Sequence, residues 1–173
     1  MTIRSVITAG LAVLCLSPQL NTKLLAQDQE QSQEASRFEI PESDEGLPGA
    51  GPLRRYGWFK NLWKSKRTQW AEQVEQDQGA VVFYGDSITQ GWGDNMGNSF
   101  PGLKVANRGI SGDTTRGLLV RLEEDVLKLN PSGVVLLIGT NDLEEGASPE
   151  VIAGNMKILL DALKKHKDRK SVV

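Results

Sequence analysis

With 173 residues, 39% of them hydrophobic, and a formal net charge of −2, the chain is long enough for one globular domain. It lacks the basic excess that a nucleic-acid partner would call for. The single cysteine, Cys15, excludes an internal disulfide framework, and with a single histidine, His166, there is no Cys/His zinc set.

Residues 1–26 have the three-part form of a secretory signal: Arg4, an apolar and small run over residues 5–16, then polar residues ending in Ala26. The apolar run is too short for a stable membrane span. Cleavage after Ala26 and export to the periplasm or beyond are expected, with an uncleaved N-terminal anchor as the alternative. Leu14 argues against a lipoprotein signal at Cys15. Residues 27–52 are rich in Gln, Glu, Ser, Pro and Gly, and Asp28, Glu30, Glu34, Glu39, Glu42, Asp44 and Glu45 make them acidic. Such a composition predicts a disordered linker, and residues 53–173 are expected to form the domain.

The domain opens with Arg54, Arg55, Lys60, Lys64, Lys66 and Arg67 interleaved with Tyr56, Trp58, Phe59, Trp63 and Trp70. Two readings stand: a surface for a polyanion or membrane headgroups, or a lead-in whose aromatics lie against the domain while the basic heads stay solvated. The second is favoured, and the acidic stretch upstream would neutralise the charge. Residues 66–78 fit a helix with Trp70 and Val74 on one face, stopped at Gly79. A buried strand is predicted over residues 80–84 and a second short one over 103–106. Residues 114–129 form an amphipathic helix with Leu118, Leu119, Leu122, Val126 and Leu129 inward and Arg121, Glu123, Glu124 and Lys128 outward, ended by Asn130-Pro131. Residues 134–138 are an unbroken apolar strand. Ser148 then caps a helix with Pro149 and Glu150 in its first turn and Ile152, Met156, Leu159, Leu160 and Leu163 as its buried stripe. Ser171-Val172-Val173 resembles the opening of another strand. Alternation of this kind predicts an α/β fold with a parallel sheet and helices on both faces.

Each of the three strands runs into a polar turn: Gly85-Asp86-Ser87, Ser111-Gly112-Asp113-Thr114 and Gly139-Thr140-Asn141-Asp142. In a parallel sheet these turns share the C-terminal edge, where open α/β sheets bind ligands. A hydroxyl, a glycine N–H and an asparagine amide gathered there are the parts of a nucleophile and an oxyanion hole, and the chemistry they imply is acyl transfer. Each turn alone has a structural reading: Gly112 supplying a positive φ, Asn141 and Asp142 closing an Asx turn.

Taken together, Phe83-Tyr84-Gly85-Asp86-Ser87-Ile88-Thr89, Asn107-Arg108-Gly109-Ile110-Ser111-Gly112-Asp113-Thr114 and Leu137-Ile138-Gly139-Thr140-Asn141-Asp142 resemble the SGNH (GDSL) hydrolases over roughly residues 70–173. The wider pattern is similar to the platelet-activating-factor acetylhydrolase-like branch. The resemblance implies a flavodoxin-like three-layer α/β/α fold. It makes Ser87 the nucleophile and Gly112 and Asn141 oxyanion-hole donors, with Gly85, Asp86, Gly139 and Asp142 as supporting residues. It also implies hydrolysis of small acyl esters, acetyl foremost, on a carbohydrate or lipid, without metal or organic cofactor. The family's fourth block, Asp and His three residues apart, has no counterpart here. His166 sits among Lys164, Lys165, Lys167 and Arg169 at a helix end, as a solvated residue complementing the helix C-terminus. The chain is therefore expected to carry strands 2, 1 and 3 of the order 2-1-3-4-5, to leave residues 134–138 as an exposed apolar edge, and to be a truncated hydrolase. The alternatives are a non-catalytic carbohydrate- or ester-binding module and an inactive fragment.

Overall fold

The structure, a computed structural model, describes residues 37–170, and side chains through 167. The expected signal over residues 1–26 and the strand opening at 171–173 lie outside the described residues.

Three strands form a parallel sheet in the order β2-β1-β3, with β1 at Val81–Gly85, β2 at Val105–Gly109 and β3 at Gly133–Leu137. The helices are α1 (Gly57–Ala71), α2 (Ser87–Gln90), α3 (Thr115–Asp125), α4 (Thr140–Glu144) and α5 (Pro149–Lys170). Short 3-10 turns cover Met96–Asn98 and Leu127–Leu129. The α/β class and the parallel sheet follow the expectation. Side chains alternate across each strand, so Val82, Tyr84 and Ala106 point to one face. There they pack with Leu118, Leu119 and Leu122 of α3 and Leu159 of α5. A second core joins Phe59, Trp63 and Trp70 of α1 to Ile40, Leu53 and Ile110. Among the described residues the opposite face is covered by α2, the Met96–Asn98 turn and the neighbouring Trp92 and Phe100, whose ring centre lies 5.0 Å from that of Phe83. Val135 and Leu137 of the edge strand β3 stay 46% and 49% exposed there.

Four expectations are corrected. The disordered linker over 27–52 does not hold from residue 38 onward. Phe38 and Ile40 are buried, and the backbone of the stretch is satisfied by distant side chains. Ala50 exchanges hydrogen bonds with the Asn155 amide (3.0 and 2.8 Å), and the Pro41 and Pro52 carbonyls accept from Arg55 and Thr114. Its acids meet the basic segment head to head, Glu39 with Lys64, Glu42 with Lys60 and Asp44 with Arg55, and Asp44 also pairs with Arg116 of α3.

The helix expected over 66–78 is α1, at Gly57–Ala71. Its buried stripe is Phe59, Trp63, Arg67 and Trp70, and the arginine in it hides the helical period. Arg67 is paired with Asp125 at 3.0 Å and lies over the Trp63 ring. The second strand begins two residues later than 103 and runs through Asn107 and Arg108, because both polar side chains find partners inside. Asn107 donates to the Thr89 and Gly93 carbonyls, and Arg108 pairs with Asp77 at 2.6 Å above the Trp70 ring. Finally, Arg121 faces inward, fully buried. Together with Leu118, Leu122 and Asp125 it forms an i, i+3, i+4, i+7 stripe whose two charged members pair with each other.

Candidate active site

The register sets the level of the three turns. Gly85 stands opposite Gly109 on one side and Leu137 on the other. Ser87, Ser111-Gly112 and Gly139–Asn141 thus leave the sheet within two to four residues of a common line, with β1 between its neighbours. At the end of β1, the Asp86 side chain accepts from Ile88 N–H at 3.0 Å and closes the turn into α2, leaving Ser87 exposed. Asp86 itself is buried, so its part is to shape the turn. The turn sits tightly on both neighbours. A Cβ on Gly85 would meet the Leu137 carbonyl and Thr89 Oγ1. Ser111 N–H donates to Gln90 Oε1 at 2.7 Å, which ties the second turn to α2.

Gly112 adopts φ +87°, a conformation open to glycine. The indole of Trp58 and Nη1 of Arg54 lie against it, 2.7 and 3.1 Å from where a Cβ would stand. Asn141, half-buried at the start of α4, donates through Nδ2 to the Asp113 carbonyl at 2.7 Å, which brings the second and third turns together. An amide nitrogen carries two hydrogens, and this bond uses one. Gly139 is the buried residue that caps α4. Asp142 is fully buried and accepts from the N–H (2.9 Å) and hydroxyl (2.5 Å) of Thr115 at the N-terminus of α3, where a carboxylate is electrostatically favoured. Asn155 completes that junction by donating to Thr115 Oγ1.

Under the three turns lies a residue that the sequence reading places on the outside of its helix. Arg121 spreads its guanidinium over Asp113 (2.8 Å), Asp125 (3.3 Å) and the carbonyls of Gly85 (3.2 Å) and Arg108 (2.8 Å). It therefore ties together the ends of β1 and β2 and the Gly112-Asp113 turn. Burial pushes the Asp113 carboxyl up from 3.8 to about 6, against the lowering pull of Arg121. A carboxyl whose folded pKa lies above its unfolded one contributes stability that is complete below the unfolded value and is lost as pH rises through the folded one. The unfolding free energy of the wild type minus that of Asp113→Asn is therefore expected to fall by roughly 2 kcal/mol between about pH 4 and 6.5. Urea titrations at a series of pH values read this difference, and a flat one would contradict it.

The only histidine does not reach this edge. His166 lines a cavity with Pro131, Ser132 and Gly133 at the opposite, N-terminal end of β3. Beside Ser87's own helix, on the open face of the sheet, an apolar cavity of about 180 Å³ is lined by Phe83, Trp92, Met96, Phe100, Val135 and Leu137. Among the described residues no group of three or more His, Cys, Asp or Glu side chains is arranged to hold a metal ion, and no helix is long and apolar enough to cross a membrane.

The chain is 28% identical to the human platelet-activating factor acetylhydrolase IB subunit alpha2 over 114 residues, which is 64% of this chain and 49% of that protein. It is 50% identical to an acetylxylan esterase of Geobacillus stearothermophilus over 42 residues, 24% of this chain and 19% of the esterase. A GDSL-like lipase from Bacteroides thetaiotaomicron superposes with a TM-score of 0.50 at 32% identity, over 62% of this chain and 53% of that one. The chain thus spans about half the length, or less, of these relatives. The profile of the GDSL-like lipase/acylhydrolase family matches residues 83–173, more than half of the chain, and all three turns lie within that span. On that match the chain belongs to the GDSL-like lipase/acylhydrolase family.

Proposed function

We propose that this chain carries the nucleophile and oxyanion-binding portion of an exported serine ester hydrolase. The observation that carries the reading is the alignment of three turns on one sheet edge, with Ser87 exposed and Gly112 and Asn141 linked through Asp113. Ser87 Oγ attacks the ester carbonyl. The N–H groups of Ser87 and Gly112 and the second Nδ2 hydrogen of Asn141 receive the negative oxygen of the tetrahedral intermediate. Collapse expels the alcohol and leaves an acyl-serine, which water cleaves to the acid and free Ser87. Acetyl esters of a carbohydrate or a lipid are the proposed substrates, in keeping with relatives named acetylxylan esterase and acetylhydrolase. Export rests on the signal-like residues 1–26. No metal or organic cofactor takes part in this scheme.

The proton of Ser87 needs an acceptor, and the position of His166 at the far edge of the sheet favours a second reading. In it the chain binds an ester or carbohydrate without turning it over. Hydrolysis of p-nitrophenyl acetate and covalent labelling by a fluorophosphonate separate the two. Under the hydrolase reading both are lost in Ser87→Ala, and Asn141→Ala lowers turnover about a hundred- to a thousand-fold. Turnover that survives Ser87→Ala unchanged would refute it.

A further inference from the structure

We propose that Arg54 is a positioning residue for the oxyanion pocket, holding the Asn141 amide in the orientation that presents Nδ2. The inference rests on the ester-hydrolase reading for its catalytic consequence, and on geometry for the contact itself. Arg54 lies 33 residues before Ser87 in a stretch that sequence alone assigns to a solvated lead-in, yet it is 8% exposed. Its guanidinium is held from two sides by consecutive carboxylates of the α4 end, Nη2 on Glu144 Oε2 at 2.5 Å and Nε on Glu145 Oε1 at 2.7 Å. Tyr56 donates its hydroxyl to the same Glu145. That leaves Nη1, which approaches Asn141 Oδ1 at 3.5 Å and lies against Gly112.

These contacts decide which end of the asparagine amide faces the pocket. A side-chain amide can turn by half a rotation at little intrinsic cost, exchanging its oxygen for its nitrogen. With Oδ1 beside a guanidinium and Nδ2 on the Asp113 carbonyl, the flipped form would set an NH₂ against a cation and an oxygen against an oxygen. Arg54 thus penalises the orientation in which an acceptor would meet the oxyanion. Its two glutamates keep the guanidinium engaged, and Trp58 closes the same wall over Gly112.

The test reads the amide directly. In ¹H–¹⁵N spectra, with the Asn141 signals assigned through Asn141→Asp, the Nδ2 hydrogen bound to Asp113 is expected to be protected from solvent exchange in the wild type. Arg54→Ala should lose that protection at least tenfold, and Arg54→Lys should restore part of it. Glu145→Gln, which loosens the guanidinium without removing it, should show an intermediate loss, and it serves if Arg54→Ala does not fold. In p-nitrophenyl acetate hydrolysis the same series should lower kcat about ten- to a hundredfold, with KM little changed. Unchanged amide exchange in both Arg54→Ala and Glu145→Gln would overturn the proposal whatever happens to turnover. If the wild type shows no Ser87-dependent turnover, the hydrolase reading falls while the amide exchange still decides the role of Arg54.

Discussion

Arg121→Met is expected to cost about 3–5 kcal/mol of folding free energy, the range for removing one partner of a buried ion pair. Two acids depend on the guanidinium. Asp113 is fully buried with Arg121 as its ion-pair partner at 2.8 Å, and Asp125 is shared between Arg121 and Arg67. Two backbone carbonyls, of Gly85 and Arg108, would also lose a donor. Around the charge stand Tyr84, Trp63 and Trp70, with ring centres 4.4, 5.7 and 5.6 Å from the guanidinium carbon, so the low-dielectric surroundings sharpen the penalty. Against a typical domain stability of roughly 5–15 kcal/mol, such a loss takes up much of the total. Arg121→Lys should recover little of it, since an ammonium on one stem cannot bridge acceptors spread around a planar fork. The surface pair Lys157–Asp161, with both members more than half exposed, provides the contrast: Lys157→Ala should change stability by less than about 0.5 kcal/mol. Urea midpoints measure all three variants. A cost below about 1 kcal/mol for Arg121→Met would mean that the buried charges relax without their hub.

The same residue marks the limit of what the sequence discloses. The strands and the three turns can be read because apolar runs ending in small polar residues are local patterns, and β1 and β3 fall within a residue of their expected places. Arg121 escapes because its partners sit on β1, β2 and the Asp113 turn, and a helical wheel cannot show them. The one local signal is Asp125, four residues on along the same stripe as Leu118 and Leu122. Asn107 and Arg108 escape for a related reason, as polar side chains inside a strand whose acceptors belong to α2 and to Asp77. The stretch from Phe38 to Pro52 has a disordered composition. Its order comes from a few anchors, Phe38 and Ile40 in the core and the Asn155 amide on Ala50, the last 105 residues away. Arg54 belongs to this class too, since the carboxylates that hold it follow 90 and 91 residues later. Local patterns thus disclose the residues proposed as nucleophile and oxyanion donors, whereas the side chains that hold those groups in register are set by contacts across the fold.

Gly109→Ala tests how firmly the turn that carries Ser87, the proposed nucleophile, is seated. Gly109 ends β2, and the space over its Cα is filled by the backbone of the turn that carries Ser87. A Cβ there would stand 2.8 Å from both the Asp86 carbonyl oxygen and the Thr89 carbonyl carbon, and closer still to the Gln90 nitrogen. A flexible side chain could swing aside, but these are main-chain atoms within α2 and its cap. The whole turn would have to lift from β2. It is held there by Asn107, whose amide donates to Thr89 and Gly93 while its oxygen accepts from Gly109 N–H. Forcing a methyl group into such a contact costs on the order of 3 kcal/mol. The displacement would also move Ser87 away from Gly112 and Asn141, and misplacing a reacting group by about 1 Å costs on the order of a hundredfold in rate. The variant should therefore fold with a lowered urea midpoint, and its fluorophosphonate labelling at Ser87 should slow by more than the unfolded fraction explains. Gly154→Ala is the matching control: nothing lies within 4 Å of its Cβ position on α5, and helix propensity there favours alanine by up to about 1 kcal/mol. If Gly109→Ala matches the wild type in both midpoint and labelling, the close approach of β2 to α2 does not set the position of Ser87. The seat of the nucleophile would then have to come from the other side, where Gly85 meets Leu137.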